Sequence, residues 1–568
     1  MANNNDKYKN HSREELIDEL ETLKKKKYGL IWDKKNSQEM LDAFVNWENV
    51  PENFTPKQFP VLKEIKNKEI ETDKSKSTNF LIEGDNYHSL AVLNFTHQNK
   101  IDVIYIDPPY NRGTNDFRFN DNYVDKEDPW RHSKWLSFME KRLRLAYRLL
   151  KNTGVLFISI DDNEMAQLKL LCDEIFGENM VETYIWCLQD KTEGSFVKTS
   201  KNTVRKEHEY ILACFKSQVK FKKYRTEKKF SEGSFSNPDN DPKGPWFSGN
   251  ISRNGIKSTT GSKYFTIETP TGKKYTRNWT LSKEEYKNLL INGEIYFSKN
   301  GDGVPRQKIY QSSDSYSIQS SLFAGLHTSI TGKNELKELF NGQVPFDYPK
   351  PSTLIKRLIE ISEINNESII LDFFAGTGTT GHAVMNLNKS DKGKRKFILC
   401  TNNEEVDENG NKNKHKICTD VCYPRIEKVI NGYKNSKGEK VAGLGGNLKY
   451  FKTDFVGSDS TDKNKRDLVN KSTEMICIKE NIFDLVADGG LDYRIYQKGK
   501  KFLGVIFEID AVADFKKEAE KHKGNFTVYC FSYTEATPEK EFKGLKNKYI
   551  LKPIPAVILR IYLEIFKK

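Results

Sequence analysis

Ile101-Asp-Val-Ile-Tyr-Ile106 runs directly into Asp107-Pro108-Pro109-Tyr110. A short, nearly unbroken apolar run stopped by two prolines is the pattern of a strand buried in a parallel sheet. Open α/β sheets carry their chemistry just outside the carboxyl ends of such strands, so a carboxylate, two prolines and an aromatic ring at that lip mark a candidate pocket. The groups present suit a planar aromatic amine, whose lone pair is delocalised into its ring. The Asp107 carboxylate accepts without donating, and the Pro108 carbonyl can accept the second amino hydrogen, together drawing the lone pair out of conjugation. Tyr110 offers a face for stacking, and a base reaches such a pocket only by leaving its duplex. Taken alone, the same four residues also fit a plain strand stop with an aspartate-capped turn.

A second strand, glycine turn and helix follow downstream, where Ile369-Ile-Leu-Asp372-Phe-Phe374 leads into Ala375-Gly376-Thr377-Gly378-Thr379-Thr380-Gly381. Glycines permit positive φ and close approach of the backbone to a ligand. Gly376, Gly378 and Gly381 match the dinucleotide pattern G-x-G-x-x-G, with Glu404 about where that fold places its ribose-binding acid, so a nicotinamide cofactor is one reading. Asp372 argues against it: its charge would repel a pyrophosphate but suits the amino group and sulfonium of S-adenosylmethionine. Beside an amine-accepting pocket, a methyl donor is the economical partner.

With both motifs in view, the chain resembles the β-class DNA adenine methyltransferases, and among them the modification subunits of type III restriction systems. The resemblance is carried by Asn79-Phe-Leu-Ile-Glu-Gly-Asp85-Asn86, by the DPPY segment continuing to Phe117, and by Gly154-Val-Leu-Phe-Ile-Ser-Ile-Asp-Asp-Asn163. It continues in Tyr348-Pro-Lys350-Pro351-Ser352, the glycine motif, and Ile417-Cys-Thr-Asp-Val-Cys-Tyr-Pro-Arg425. DPPY preceding the glycine turn is the order that defines the β class. The resemblance implies a Rossmann-like S-adenosylmethionine-dependent α/β core with circularly ordered motifs, an inserted target recognition domain and a small C-terminal α/β domain. It further implies that Asp107, Pro108, Pro109 and Tyr110 form the catalytic lip, and that Asp85 meets the cofactor's adenine. Glu404 or its neighbour Glu405 would bind the ribose, Asp372, Phe374, Gly376 and Gly378 the methionine portion, with Lys350 and Pro351 in the segment preceding the cofactor-side helix. Thr377 stands where the family often has serine.

Other readings stay open for several residues. Asp85 equally fits a helix N-cap, and Asp161 and Asp162 read as caps of a helix ending at Gly177 rather than as a catalytic pair. An aspartate at 107 favours adenine over cytosine, where serine is usual, and the large insert favours duplex DNA over RNA. A DNA-binding module with a dead catalytic half is disfavoured by intact Asp107 and Gly376. An orphan methyltransferase remains an alternative to a restriction-linked one.

The landmarks divide the chain into a helical N-terminal arm (1–78), the acceptor half of the core (79–189), the insert (190–345), the cofactor half (346–440) and a C-terminal domain (441–568). The arm opens with a capping box at Ser12-Arg-Glu-Glu15 and carries a lysine run at 24–27. The insert combines strand-like runs at Tyr264-Phe-Thr-Ile267 and Glu294-Ile-Tyr-Phe297 with Arg253, Lys257, Lys263, Arg277, Trp279, Arg306 and Lys308, cations and a ring suited to phosphates and bases. Arg112, just after DPPY, joins them as a candidate DNA contact, and a Lys498-Gly-Lys-Lys501 turn should join two hairpin strands. With 92 Lys and Arg against 79 Asp and Glu, the 568-residue chain carries a formal +13, a field that favours a polyanion. Neither an apolar span nor a signal-peptide core is evident, so a cytoplasmic protein is expected, and the resemblance implies a prokaryotic one. Its eight cysteines lack zinc spacing, so no metal site is expected. Double-stranded DNA, a second copy of the chain and a helicase-nuclease restriction subunit are the partners that the resemblance implies.

Overall fold

Every residue of Ile101–Ile106 is buried, and hydrogen bonding to parallel neighbours on both sides explains why the run is apolar throughout. The computed structural model describes Ser12, Arg13 and residues 58–554, except 74–75, 114–117, 120–121, 189–205, 218–223, 226–234, 254–258, 299, 311–315, 318–319, 325–327, 363, 409–410, 458–460 and 532–537. The expected helix beyond Arg13, the lysine run at 24–27 and Lys257 therefore lie outside the described residues.

Ten strands form the path of the eleven-stranded main sheet: β1 (Gln58–Glu64), β2 (Thr78–Glu83), β3 (Ile101–Ile106), β4 (Leu150–Ile160), β5 (Val181–Cys187), β6 (His208–Phe215), β7 (Leu322–Phe323), β8 (Ile369–Asp372), β9 (Lys396–Thr401) and β10 (Asn447–Gly457), with the short strand Ile70–Glu71 paired to β10 off that path. Their spatial order is β1-β10-β2-β9-β8-β3-β4-β6-β5-β7. From β10 to β4 every pairing is parallel, whereas β6 runs antiparallel to both β4 and β5. β8 lies directly beside β3 although far from it in the chain, with Ile370 opposite Val103 and Leu371 opposite Ile104. This is the circularly ordered α/β methyltransferase sheet that the motif order implied. Because β2, β9, β8 and β3 are consecutive and parallel, the loops that follow them open at one edge.

Helices α1 (Asn86–Thr96), α2 (Arg131–Leu149), α3 (Met165–Phe176), α4 (Ser329–Leu339), α5 (Ser352–Ile361), α6 (Thr379–Asp391), α7 (Tyr423–Asn431) and α8 (Asp462–Glu480) accompany the sheet. Leu90 and Leu93 of α1, Trp135, Met139 and Leu143 of α2, and Ile104 and Ile106 of β3 share one buried cluster. None of the described helices is long and apolar enough to cross a membrane.

Two compact units result, one made of residues 1–220 and 320–568 and the other of residues 221–319. The second unit is narrower than the 190–345 expected from composition, because Glu209 to Phe215 zip onto β4 and β5. It contains the three-stranded arrangement of Trp246–Asn250, Arg306–Tyr310 and Ile295–Tyr296, and the hairpin of Tyr264–Glu268 with Lys274–Asn278. Its core gathers Ile251, Ile267, Trp279, Tyr286 and Ile295. Trp279 is completely buried, its indole N–H donating to the Phe265 carbonyl at 2.9 Å. Lys308 is buried between Asp239 and Asp241. These two residues are structural groups of the unit, not free rings and cations as the composition suggested.

The C-terminal region is likewise less separate than expected. Asn447–Gly457 completes the main sheet as β10, and Leu503, Val505, Tyr529 and Phe531 of the following region join the main buried cluster. There a five-stranded sheet runs through Asp484–Asp488, Tyr493–Lys498, Lys501–Ile506, Asn525–Cys530 and Lys548–Lys552. The hairpin predicted at Lys498–Lys501 forms, and positive φ at Gly499 turns it.

Trp279→Ala should destabilise the 221–319 unit by roughly 3–5 kcal/mol, the usual cost of emptying a buried tryptophan site. Limited proteolysis should then cut first within that unit; an unchanged cleavage pattern and denaturation midpoint would show that Trp279 is not its keystone.

Candidate active site

The lip after β3 is shaped by bonds that use up its structural groups. The Trp135 indole donates to the Pro109 carbonyl at 2.8 Å, and Asn111 turns the chain with a φ of 57° while its amide donates to buried Glu164. Asp107 stays partly open, its side chain 27% exposed. Residues 348–351 run extended into α5, whose N-cap is Pro351, and this delivers Lys350 to the lip. The buried ammonium of Lys350 lies 2.9 and 3.0 Å from the two Asp107 oxygens and 2.8 Å from the Tyr110 hydroxyl. That hydroxyl donates to Glu209 Oε2 at 3.0 Å, and the same oxygen lies 3.4 Å from Lys350 Nζ. Burial works against the lysine charge, but Asp107 and Glu209 outweigh it and hold the Lys350 pKa above the ordinary lysine value. Burial, reinforced by the Asp107 charge, pushes the Tyr110 hydroxyl well up, so it remains a proton donor.

The glycine loop after β8 sits beside this lip. Asp372 is buried, accepting from Thr380 Oγ1 at 2.5 Å and the Phe374 amide at 3.0 Å. Burial outweighs those bonds and lifts its pKa to about 7. Gly376 and Gly378 take φ of 48° and 79°. A Cβ on Gly378 would meet Cys422 Sγ at 3.0 Å and Ile426, so that glycine is demanded by α7 packing. A Cβ on Gly376 would find only the Phe374 carbonyl, at 3.8 Å, leaving an open cradle over the loop. Fully buried Arg425 holds the loop from behind, donating to Thr377 Oγ1 at 3.0 Å, Thr379 Oγ1 at 2.8 Å and Glu335 at 2.8 Å. Glu335 also accepts from the Ser352 amide and hydroxyl at 2.9 and 2.8 Å, so one carboxylate ties the glycine loop to the segment carrying Lys350.

At the β2 lip, Asp85 is the N-cap of α1: Oδ1 accepts from the Tyr87 and His88 amides at 2.8 and 3.4 Å. Its other oxygen lies 3.4 Å from Arg142, yet the side chain stays 46% exposed, so a cap and an open acceptor coexist. Glu404, beyond the end of β9, is exposed, and its carbonyl accepts from the Ile417 amide at 3.0 Å. Asp161 and Asp162 do not cap α3, whose N-cap is Glu164. Asp161 instead accepts from Arg112 at 2.9 Å, and Asp162 pairs with Lys206 and accepts from Tyr210. Sequence reasoning missed Glu209, whose only signal was an acid at the head of an otherwise apolar strand, and the roles of Arg425 and Glu335, which had none.

Residues 101–412, more than half of the chain, match a family model described as DNA methylase. The chain is 31% identical over 500 residues to the StyLTI Mod subunit of a type III restriction-modification enzyme from Salmonella typhimurium, covering 82% of this chain and 75% of that one. It is also 31% identical over 447 residues to the EcoPI Mod subunit of Escherichia phage P1, covering 68% and 65% of the two chains. A solved structure, the cytosine-N4-specific PvuII DNA methyltransferase, aligns with 13% identity and a TM-score of 0.31 over 64% of this chain and 95% of that one. The chain belongs to the DNA methylases, in the family of type III modification subunits.

Among this methylase's expected DNA contacts, Arg112 is 37% exposed and lies 4.9 Å from the Tyr110 ring centroid while paired with Asp161. It braces the lip after β3 as well as facing solvent. Arg253 and Arg306 are exposed and Arg277 is half-buried over Tyr275 and Trp279.

Asp372 gives the methylase a signed pH dependence. Its pKa of about 7 in the folded chain, against 3.8 for the free group, means that between these values only the folded state binds its proton. Its contribution to stability is thus fully present at low pH and lost as pH rises through about 7. Asp372→Asn, which cannot ionise, should gain stability relative to the parent between pH 5 and 8 in urea unfolding. An identical difference at both pH values would contradict the assignment.

Proposed function

We propose that this modification subunit transfers a methyl group from S-adenosylmethionine to the exocyclic amino nitrogen of a flipped adenine in duplex DNA. The observation that carries this reading is the direct pairing of β3 with β8, which sets Asp107 and the glycine loop side by side at one sheet edge. Asp107 accepts one amino hydrogen, the Pro108 carbonyl accepts the other, and Tyr110 supplies the stacking face, with Pro109 fixed by Trp135 to hold the lip rigid. The residues around the glycine loop fit the cofactor. The cradle above Gly376 is space that any side chain would fill, and the Asp372 carboxyl, neutral or ionised near pH 7, suits a cationic amino acid better than a pyrophosphate. Phe374, Gly378 and Pro351 complete the methionine side, while Asp85 and Glu404, at neighbouring strand ends, are assigned to the adenine and ribose.

Bound S-adenosylmethionine supplies an electrophilic methyl group; the protein's part is alignment. Well-oriented reactants can gain roughly 7–11 kcal/mol from entropy and solvent reorganisation avoided. The insert is assigned target recognition, with exposed Arg253 and Arg306 and half-buried Arg277 contacting phosphate or base. The family membership supports a helicase-nuclease restriction subunit and a second copy of the chain as partners, with this chain as the specificity subunit.

Transfer of labelled methyl groups to mixed-sequence duplex DNA tests the reading. Asp107→Ala should lower turnover by about 10²–10³-fold or more while leaving the cofactor dissociation constant nearly unchanged. Gly376→Val should weaken cofactor binding about tenfold, roughly 1.4 kcal/mol, by filling the cradle. Retained turnover in the first variant, or unchanged cofactor affinity in the second, would each remove the corresponding motif from the site.

A further inference from the structure

We infer that Lys350 and Glu209 are a positioning pair for the methyl-acceptor site, Lys350 fixing the Asp107 carboxylate and Glu209 fixing the Tyr110 ring. This rests on the reading of Asp107 and Tyr110 as the acceptor lip, and it moves Lys350 from the cofactor side of the site, where its sequence segment pointed, to the acceptor side.

The donor count carries the assignment. An ammonium has three hydrogens and no acceptor. Lys350 faces both Asp107 oxygens at 2.9 and 3.0 Å, the Tyr110 hydroxyl at 2.8 Å and Glu209 at 3.4 Å, so no donor is left for a cofactor carboxylate. Held symmetrically from the inside, the partly open Asp107 keeps lone pairs for an incoming amine. The Tyr110 hydroxyl accepts from Lys350 and donates to Glu209 at 3.0 Å, which pins the ring at its far end and fixes the face offered to a base. The cluster joins three distant segments, the β3 lip, the head of β6 and the run before α5.

The pair also controls charge. The groups facing Asp107 and Lys350 are Tyr105 and Tyr110 from β3 and its lip, Glu209 from β6 and Asp372 from β8; Arg112 lies 4.0 Å from Glu209 and pairs with Asp161. Removing the lysine leaves Asp107 and Glu209 bracketing one buried phenol. Like charges disfavour joint ionisation, so the variant's lip would lose its charge balance in a pH-dependent way.

Lys350→Met, Glu209→Gln, the double variant and Asp107→Ala should be compared by cofactor titration, by single-turnover transfer at saturating S-adenosylmethionine and DNA, and by the pH profile of that rate. Lys350→Met should keep cofactor affinity within about threefold, lower the transfer rate by about 10²-fold, and move the acidic limb of the profile upward by about one pH unit. Glu209→Gln keeps an acceptor for Tyr110 but removes the charge, so its loss should be smaller, and the double variant should lose no more than Lys350→Met alone. Weakened cofactor binding with an unchanged saturated rate would make Lys350 a cofactor residue and overturn the inference. So would a Lys350→Met rate and pH profile equal to the parent's. If Lys350→Met does not fold, Glu209→Gln decides: a reduced rate at unchanged cofactor affinity supports the pair, and a parental rate overturns it. Turnover retained in Asp107→Ala would instead defeat the acceptor reading itself.

Discussion

Four parallel strands that end at one edge are the constraint on which the molecule depends. β2, β9, β8 and β3 are contiguous, so the acidic turn at Asp85, the Glu404 turn, the glycine loop and DPPY are brought together without any one being near the next in the chain. The β8–β3 pairing sets the fine register, with Leu371 opposite Ile104. A slip of one residue would exchange the faces of every side chain on the strand. Burial of these strands makes such a slip costly. The long interruption between the two motifs is tolerated because sheet pairing, and not chain continuity, fixes their separation.

Buried charges then set the loops. Arg425 and Lys350 are both enclosed, and each bonds to carboxylates and hydroxyls from other segments, although the buried Nε of Arg425 has no partner among the described residues. Replacing a buried ion pair by apolar groups is often neutral, while removing one partner typically costs about 3–5 kcal/mol. Such groups are therefore poor sources of net stability but strict about geometry. Glu335 extends this to the whole edge, bonding Arg425 on one side and Ser352 on the other. That carboxylate ties the glycine loop, through Arg425, to the segment carrying Lys350.

What could be read from the residue string was local and periodic. β3, the glycine turn, the hairpin strands at Tyr264–Glu268 and the turn at Lys498–Lys501 all follow from apolar runs, prolines and glycines. Side-chain destinations set by long-range packing were not legible. Lys350 sits in a short extended run whose direction depends on where α5 docks. Glu209 falls where composition suggested insert, because only pairing with Trp186 of β5 shows it to be sheet. Asp161 looked like a cap and bonds Arg112 instead. Trp279 and Lys308 have the chemistry of a DNA contact and the burial of a core, a distinction that exists only in three dimensions.

In the proposed reaction, the charge balance of the lip accounts for a lysine beside Asp107. Methyl transfer from a sulfonium to an amine moves one positive charge over a short distance without creating one. A site serving both ends must therefore favour a cation evenly, not trap it at one end. Asp107 and Glu209 against Lys350 leave a single formal negative charge, spread over two carboxylates, while burial keeps Asp372 near the midpoint of its titration around neutral pH. Without the lysine, two carboxylates would flank the Tyr110 hydroxyl with no cation between them. Without Glu209, the ammonium would be balanced by Asp107 alone. The three groups make sense only as a set, and the set is what the fold assembles from segments near residues 107, 209 and 350.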